Sequence, residues 1–283
     1  MKVGLCCIGR RENLYVNEYV NHYLSLGVDK IFIYDNNYDG EEHFEDVLSE
    51  YISAGSVEIV DFRNKQRCHM ESYQDCWDKN NKDFDWMLFV DCGDEYLYMN
   101  DFNNIKDFLK QDKFTNYDLI HISIMTYGDN DLVRYEDKPL KERFTEPILP
   151  LNFKKNLPIP ENNHVSSIVR CGIDNVVWNC TPHTPNGDIK CCDASGNPCN
   201  SRSPFMDFDF SVAHFKHYTS KTLEEWLNVK VPRGFADGNL DYFKKNDPIK
   251  EFFKVNKVTK EKIDYLIEKG YIDSSYEQLL LNK

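Results

Sequence analysis

Three carboxylates, Asp91, Asp94 and Glu95, lie close together in the stretch WMLFVDCGDEYLYM, residues 86–99. The apolar run 86–90 ahead of them has the length and composition of a buried strand. The acids therefore sit at the tip of a core strand. Carboxylates held this close repel one another and lose hydration, and a hard divalent cation relieves both costs. That chemistry is a Mg2+ or Mn2+ site. The competing reading is an acidic turn, with Gly93 supplying the bend and the acids facing water.

The elements that must position these acids can be read along the chain. Residues 2–8 form an apolar run that predicts a first buried strand, followed by a polar turn at residues 9–13. Tyr15, Tyr19, Val20, Tyr23 and Leu24 then recur at helical spacing up to Gly27, a helix stop. A second strand, residues 30–34, ends in Asp35, Asn36, Asn37, Tyr38, Asp39 and Gly40. Helices are predicted over 43–54 and 64–80, with a strand at 56–61 between them and the strand 86–91 after them. This alternation argues for a mainly parallel sheet with covered faces, whose ligands bind at the carboxyl ends of the strands. Asp35, at such an end, can accept a hydrogen bond from a base or a ribose, or cap its own turn. No GxGxxG follows the first strand and there is no Walker lysine motif, so neither a dinucleotide fold nor a P-loop is supported.

Further on, a short helix is predicted at 104–109 and a strand at 119–125, running into a polar loop that carries Asp129 and Asp131. Residues 138–153, rich in charge and proline, are expected over the surface as a loop or lid. Short strands are expected at 165–170, 175–179 and 212–215, the last delivering His217 and Lys221. Helices are expected at 222–229 and 260–268.

A chain of 283 residues with 41% hydrophobic content can bury a large core, and one large α/β domain is the first expectation. The net charge of -13 argues against a general nucleic-acid binder. No apolar run approaches a bilayer span, and the opening residues MKVGLCCIGRRE lack a signal-peptide core. The expectation is a cytoplasmic protein, at most peripheral at the inner face of a membrane. Its ten cysteines are then expected as reduced thiols. Cys171, Cys180, Cys191, Cys192 and Cys199 gather in a loop-like region with His183, where zinc is conceivable, but there is no CxxC pair and no recognised finger spacing.

Four blocks make the chain resemble the GT-A glycosyltransferases of the family 2-like group, and within it the branch of glycosyltransferase family 92. They are RENLYVNEYVNHYLSLGVDKIFIYDNNYDG at 11–40, WMLFVDCGDEYL at 86–97, TYGDNDLVRYEDKPLKERF at 126–144 and HFKHYTSKTLEEWLNVKVPRG at 214–234. The resemblance implies a GT-A domain over residues 1–235, with 236–283 as a helical extension packed on it. It also implies a transferase that uses a nucleotide-diphosphate sugar, with UDP favoured, and a glycan or glycolipid hydroxyl as acceptor in polysaccharide synthesis. Glu12 and Asp35 would line the nucleoside pocket beside the backbone near Ile8. The metal motif would fall on Asp91 and Asp94 with Glu95 beside them, His217 would add a ligand, and Lys221 and Arg233 would bind the diphosphate. One departure stands out: Cys92 and Gly93 both separate the two aspartates, where the family pattern has one residue. Either Gly93 forms a bulge and both aspartates face the metal, or Asp94 acts with water and Asp91 moves outward.

A neutral imidazole ligand suits Mn2+ better than Mg2+. Inversion by single displacement, which the resemblance implies, needs a base across the sugar from the metal, and Asp129 or Asp131 meets that need, with Glu136 and Asp137 as alternatives. Two other readings compete. A metal-dependent nucleotidyltransferase or phosphoesterase would want a second acidic cluster. A non-catalytic nucleotide-binding protein would be consistent with the altered metal motif.

Overall fold

Every residue of β1 (Val3–Gly9) is buried in the computed structural model, which describes residues 1–148, 163–235, 242–273 and 276. A strand apolar on both faces has to be covered on both sides. It pairs in parallel with β2 (Lys30–Asp35), and β2 pairs in parallel with β3 (Val57–Asp61). The crossovers between strands are α1 (Val16–Ser25), α2 (Glu45–Ser53) and α3 (His69–Asn80). On α1 the buried residues are Val16, Tyr19, Val20 and Tyr23, one face at helical spacing. The registers Gly9↔Asp35 and Asp35↔Asp61 bring three strand ends side by side.

On its other side β1 pairs in parallel with β4 (Trp86–Phe89), which hands the chain to the acidic loop. After that loop come β5 (Glu95–Met99), α4 (Ile105–Leu109) and β6 (Leu119–Thr126). The helix α5 (Leu140–Arg143) precedes β7 (Val165–Arg170), which is antiparallel to both β4 and β6 and fills the gap between them. The strands β8 (Val177–Thr181) and β9 (Thr184–Asn186) form a separate ribbon. Next come β10 (Cys191–Asp193), β11 (Pro198–Cys199) and β12 (Ala213–His217). The main sheet runs β11-β10-β6-β7-β4-β1-β2-β3, while β12 pairs with β5 and β6. This is a mainly parallel α/β sheet with helical crossovers, as the alternation of elements predicts.

Three local departures have physical reasons. The helix expected from residue 64 begins at His69, because Asn64 and Arg67 have φ of 61° and 53° and cannot extend it. The strand expected at 175–179 runs over Val177–Thr181, after Asn175 at φ 61°. The cysteine-rich segment, expected as a loop, adds β10 in parallel to β6 and β11 at the edge of the sheet. Strands of three and two residues are too short to leave a period in the sequence. Of the surface loop expected at 138–153, residues 140–143 are helical, and residues 149–153 lie outside the described residues.

The chain divides into two compact units, and the division does not follow the sequence. Among the described residues, one unit takes 1–126, 163–217 and 235, and the other takes 127–148, 218–234, 242–273 and 276. The second unit thus draws on more than residues 236–283, the extension expected to start after residue 235. It contains α6 (Leu223–Glu225), a π-helical turn Trp226–Lys230, α7 (Val231–Arg233), α8 (Tyr242–Lys245), α9 (Pro248–Phe252) and α10 (Lys260–Glu268). Leu223, Trp226, Phe252, Ile263 and Leu266 belong to its core. Thr222 and Glu225 cap α6 reciprocally. Glu225 also takes a bidentate pair from Arg143, at 2.7 and 3.1 Å, with both side chains no more than 3% exposed. Burial alone would lift the Glu225 carboxyl, but Arg143 and the Thr222 hydroxyl hold it below the usual range.

Removing one partner of such a pair strands the other charge in the core. Arg143→Ala is therefore expected to cost about 3–5 kcal/mol of stability, read by urea unfolding.

Candidate functional site

The acidic loop after β4 closes on itself. The Asp91 amide donates to Glu95 Oε2 at 3.1 Å, and the Glu95 amide donates to the Asp91 carbonyl at 3.2 Å. Gly93 turns the loop at φ 69°, the left-handed region that disfavours other residues. Asp91 and Glu95 thereby stand at the two ends of one tight turn. The antiparallel register of β12 on β5 places His217 directly opposite Glu95. One ligand atom each from Asp91, Glu95 and His217 then lies within 4.8 Å of the others. Asp94 is buried, at 3% exposure, and is not one of the three. With two residues between the aspartates, the second acid brought beside Asp91 is Glu95.

The trio has the donor set of a hard-to-borderline divalent cation: two carboxylates and an imidazole. Glu95 supplies the test of fit. It is 1% exposed, its Oε2 accepts from Ser166 Oγ at 2.8 Å, and its Oε1 is buried with no hydrogen-bond partner. Burial, with the charge of Asp91 beside it, pushes the Glu95 carboxyl well above its ordinary range. A buried carboxylate oxygen without a donor is what a cation would satisfy, so the residues present fit a divalent metal.

Other histidines surround Asp91. His69 Nε2 lies 3.7 Å from Asp91 Oδ1. His164 stacks on His183 at 4.5 Å between ring centres, and burial followed by His183 and His217 holds its pKa down to about 4. His69 and His164 are site neighbours that sequence reasoning missed. Each is a single histidine at a helix start or a strand edge, with no spacing to mark it. His214, in contrast, packs against Tyr98 on β5.

The residues expected around the nucleoside lie at the neighbouring strand ends. Ile8 is buried within β1. Asp35 is 2% exposed and occupied: Oδ2 accepts from Arg63 Nη1 at 2.7 Å, and Oδ1 accepts from the Asn37 amide and side chain at 2.9 and 2.7 Å. Of the two roles open to it, the one visible is the cap on its own turn. Glu12 is fully buried, and its carboxylate lies under Gly93, where a Cβ would collide with Glu12 Oε2. Glu12 thus packs against the backbone of the acidic loop.

Asp129, Asp131, Lys221 and Arg233 belong to the second unit. There the fully buried Lys262 reaches Asp129 Oδ2 at 2.5 Å, Asp131 Oδ1 at 3.1 Å and the Lys257 carbonyl at 2.8 Å. Burial lifts the Asp129 carboxyl above the usual range, although Lys262 pulls it down. Lys221 is 5% exposed, with left-handed backbone at φ 54°. Arg233 ends α7 and is half-buried.

The glycosyltransferase family 92 model matches residues 2–262, nearly the whole chain. The chain belongs to glycosyltransferase family 92. It therefore carries a glycosyltransferase domain, and its sheet with the acidic loop after β4 is the GT-A arrangement that membership implies. The family match decides against the nucleotidyltransferase reading. No curated protein matches the chain. Solved structures similar to it include S. aureus TarS 1-349, at 11% identity over 78% of this chain and 61% of that one, with a TM-score of 0.42. The same protein in complex with UDP-GlcNAc matches at 14% identity over 48% of this chain and 37% of that one, TM-score 0.35. Glucosyl-3-phosphoglycerate synthase from Mycobacterium tuberculosis, in complex with Mn2+, UDP and glucosyl-3-phosphoglycerate, matches at 12% identity over 60% and 56%, TM-score 0.30. The family 92 chain spans less than two thirds of each of these, and likenesses this distant add no argument about its activity. Among the described residues no helix is long and apolar enough to cross a membrane.

Gly93 is where the loop and Glu12 meet most closely. Gly93→Ala is expected to cost at least about 1–2 kcal/mol from left-handed backbone alone, plus the collision with Glu12. A Gly93→Ala protein with unchanged thermal stability and unchanged Mn2+ affinity would contradict this packing.

Proposed function

We propose that this family 92 protein transfers a sugar from a nucleotide-diphosphate sugar, with UDP as the nucleotide, to a hydroxyl of a glycan or glycolipid. The observation that carries the reading is the trio Asp91, Glu95 and His217, assembled at a strand tip in a chain that matches the glycosyltransferase family over residues 2–262. UDP rests on the family resemblance.

Asp91, Glu95 and His217 would hold the divalent cation, and the mixed oxygen and nitrogen set favours Mn2+. Bound there, the cation supplies charge stabilisation for the departing nucleoside diphosphate. Ser166 and the Asp91 amide fix Glu95 in orientation, and Glu12 supports the loop from beneath. Lys221 and Arg233 are the cations proposed to neutralise the diphosphate. The left-handed backbone of Lys221 is the kind of strain retained at functional positions. Ile8 and Asp35 are proposed to border the nucleoside, with Asp35 acting through the Arg63 and Asn37 network that it organises.

Transfer with inversion requires a base to take the acceptor proton. Both loop acids pair with Lys262, Asp129 buried at 2.5 Å and Asp131 at 3.1 Å with its side chain 47% exposed. We carry Asp131 forward as the base, with Asp129 anchoring the loop.

Two experiments test these assignments. In calorimetric titration, UDP is expected to bind with Mn2+ and to lose metal-dependent binding in Asp91→Asn and Glu95→Gln, while Asp94→Asn keeps it. Loss in Asp94→Asn alone, at unchanged thermal stability, would return the ligand role to Asp94. In an assay of UDP release with acceptor present, Asp131→Asn is expected to lower kcat by about 10²–10⁴ with a smaller loss of melting temperature than Asp129→Asn. Asp129→Asn, which removes the shortest carboxylate contact of the buried Lys262, is expected to lower the melting temperature.

A further inference from the structure

The far edge of the main sheet gathers a second set of metal donors, of different character. Cys191 on β10 and Cys199 on β11 are directly opposed in their antiparallel pairing. β10 also pairs with β6, so His121 lies on the neighbouring strand, opposite Asp193 and two positions along from the partner of Cys191. The Cys199 sulfur lies 3.7 Å from His121 Nδ1, and one ligand atom from each of the three residues lies within 4.8 Å of the others. His121 and Cys191 are buried and Cys199 is half-buried. All ten cysteines are unbridged.

The group on the far side of His121 settles its tautomer. His121 Nε2 lies 2.9 Å from Thr184 Oγ1, and that hydroxyl lies 2.9 Å from the Ser201 carbonyl. A hydroxyl has one proton, and only the hydroxyl can serve the carbonyl, so Thr184 donates to Ser201 and accepts from His121 Nε2–H. The Nδ1 lone pair is thereby turned toward the cysteines, with the Cys199 sulfur 3.7 Å away. A ring N–H fixed by a hydroxyl while the other nitrogen faces two sulfurs is the outer-shell arrangement of a ligating histidine.

We propose that His121 Nδ1, Cys191 Sγ and Cys199 Sγ bind a zinc ion, with water in the fourth position. Two thiolates and an imidazole are a soft set that suits Zn2+ and distinguishes this place from the carboxylate trio at Asp91. Binding replaces two S–H bonds by two Zn–S bonds and releases two protons to solvent. The consequence is mechanical. β10 and β11 are only three and two residues long, with few ladder bonds to hold them. An ion shared with β6 fixes that edge to the sheet, and Thr184 ties β9 to the same point.

The test uses the full chain, reduced and stripped of metal, then supplied with Zn2+ or Co2+ alone. Zinc is expected to protect Cys191 and Cys199 of the wild type from alkylation, read by peptide mass spectrometry, while Cys180 labels as before. Cobalt is expected to give a thiolate charge-transfer band, which the carboxylate trio cannot produce. The band should persist in Cys180→Ser and in Glu95→Gln and vanish in Cys199→Ser. Thr184→Val is expected to weaken zinc binding about 10- to 100-fold. Unchanged alkylation of the wild type, a cobalt band that survives Cys199→Ser, or a Cys191–Cys199 disulfide in place of zinc uptake would overturn the proposal.

Discussion

Glu95 is a carboxylate taken out of water, and the arrangement around it follows from that cost. A charge at 1% exposure persists only if donors or a cation replace its hydration. Ser166 on β7 and the Asp91 amide serve one oxygen, the other has no hydrogen-bond partner, and Asp91 and His217 offer ligand atoms close by. Tyr23 from α1 donates to the Glu95 carbonyl, which fixes the start of β5. Residues from α1, β7, β12 and the acidic loop thus converge on one residue. Pairing β12 with β5 is what turns two distant segments into one donor set, because its register sets His217 against Glu95.

The loop between β4 and β5 shows how an extra residue is absorbed. A turn with one residue between its acids would present both aspartates, whereas here Gly93 takes left-handed backbone and Asp91 meets Glu95 across the turn. The lack of a side chain at Gly93 also admits the Glu12 carboxylate beneath. Conformational freedom and close approach are therefore required at the same position. At the neighbouring strand ends, polar side chains are committed to one another, as Asp35 is to Arg63 and Asn37. Such networks stiffen a strand-end turn before any ligand arrives.

The carboxylate trio and the thiol and imidazole group are thus built on one sheet. The carboxylate trio lies where strands deliver acids to a turn, and the thiol and imidazole group lies where short edge strands meet β6. In each, a hydroxyl behind the donors fixes their orientation, Ser166 on Glu95 and Thr184 on His121. Hard oxygen donors and soft sulfur donors sort different ions.

By itself the sequence determined the β-α-β alternation, the acidic strand tip at residues 86–95 and membership of the glycosyltransferase family. Each of these is written in residues near one another, as the period of apolar side chains or as a block of consecutive residues. It also singled out Asp91 and His217. Only the tertiary structure decided that Glu95 completes their set, since that depends on a left-handed Gly93 and on a strand register between residues far apart in the chain. The contacts of Asp35 and Asp129 with Arg63 and Lys262 likewise join residues that no local pattern ties together. The same holds for His121 with Cys191 and Cys199: no ligand spacing exists in the sequence, because the two cysteines are opposed across a strand pair and the histidine comes from the strand beside it. Local sequence encodes period and turn, while a binding site is a set of distances, and distances between remote residues exist only after the strands have paired.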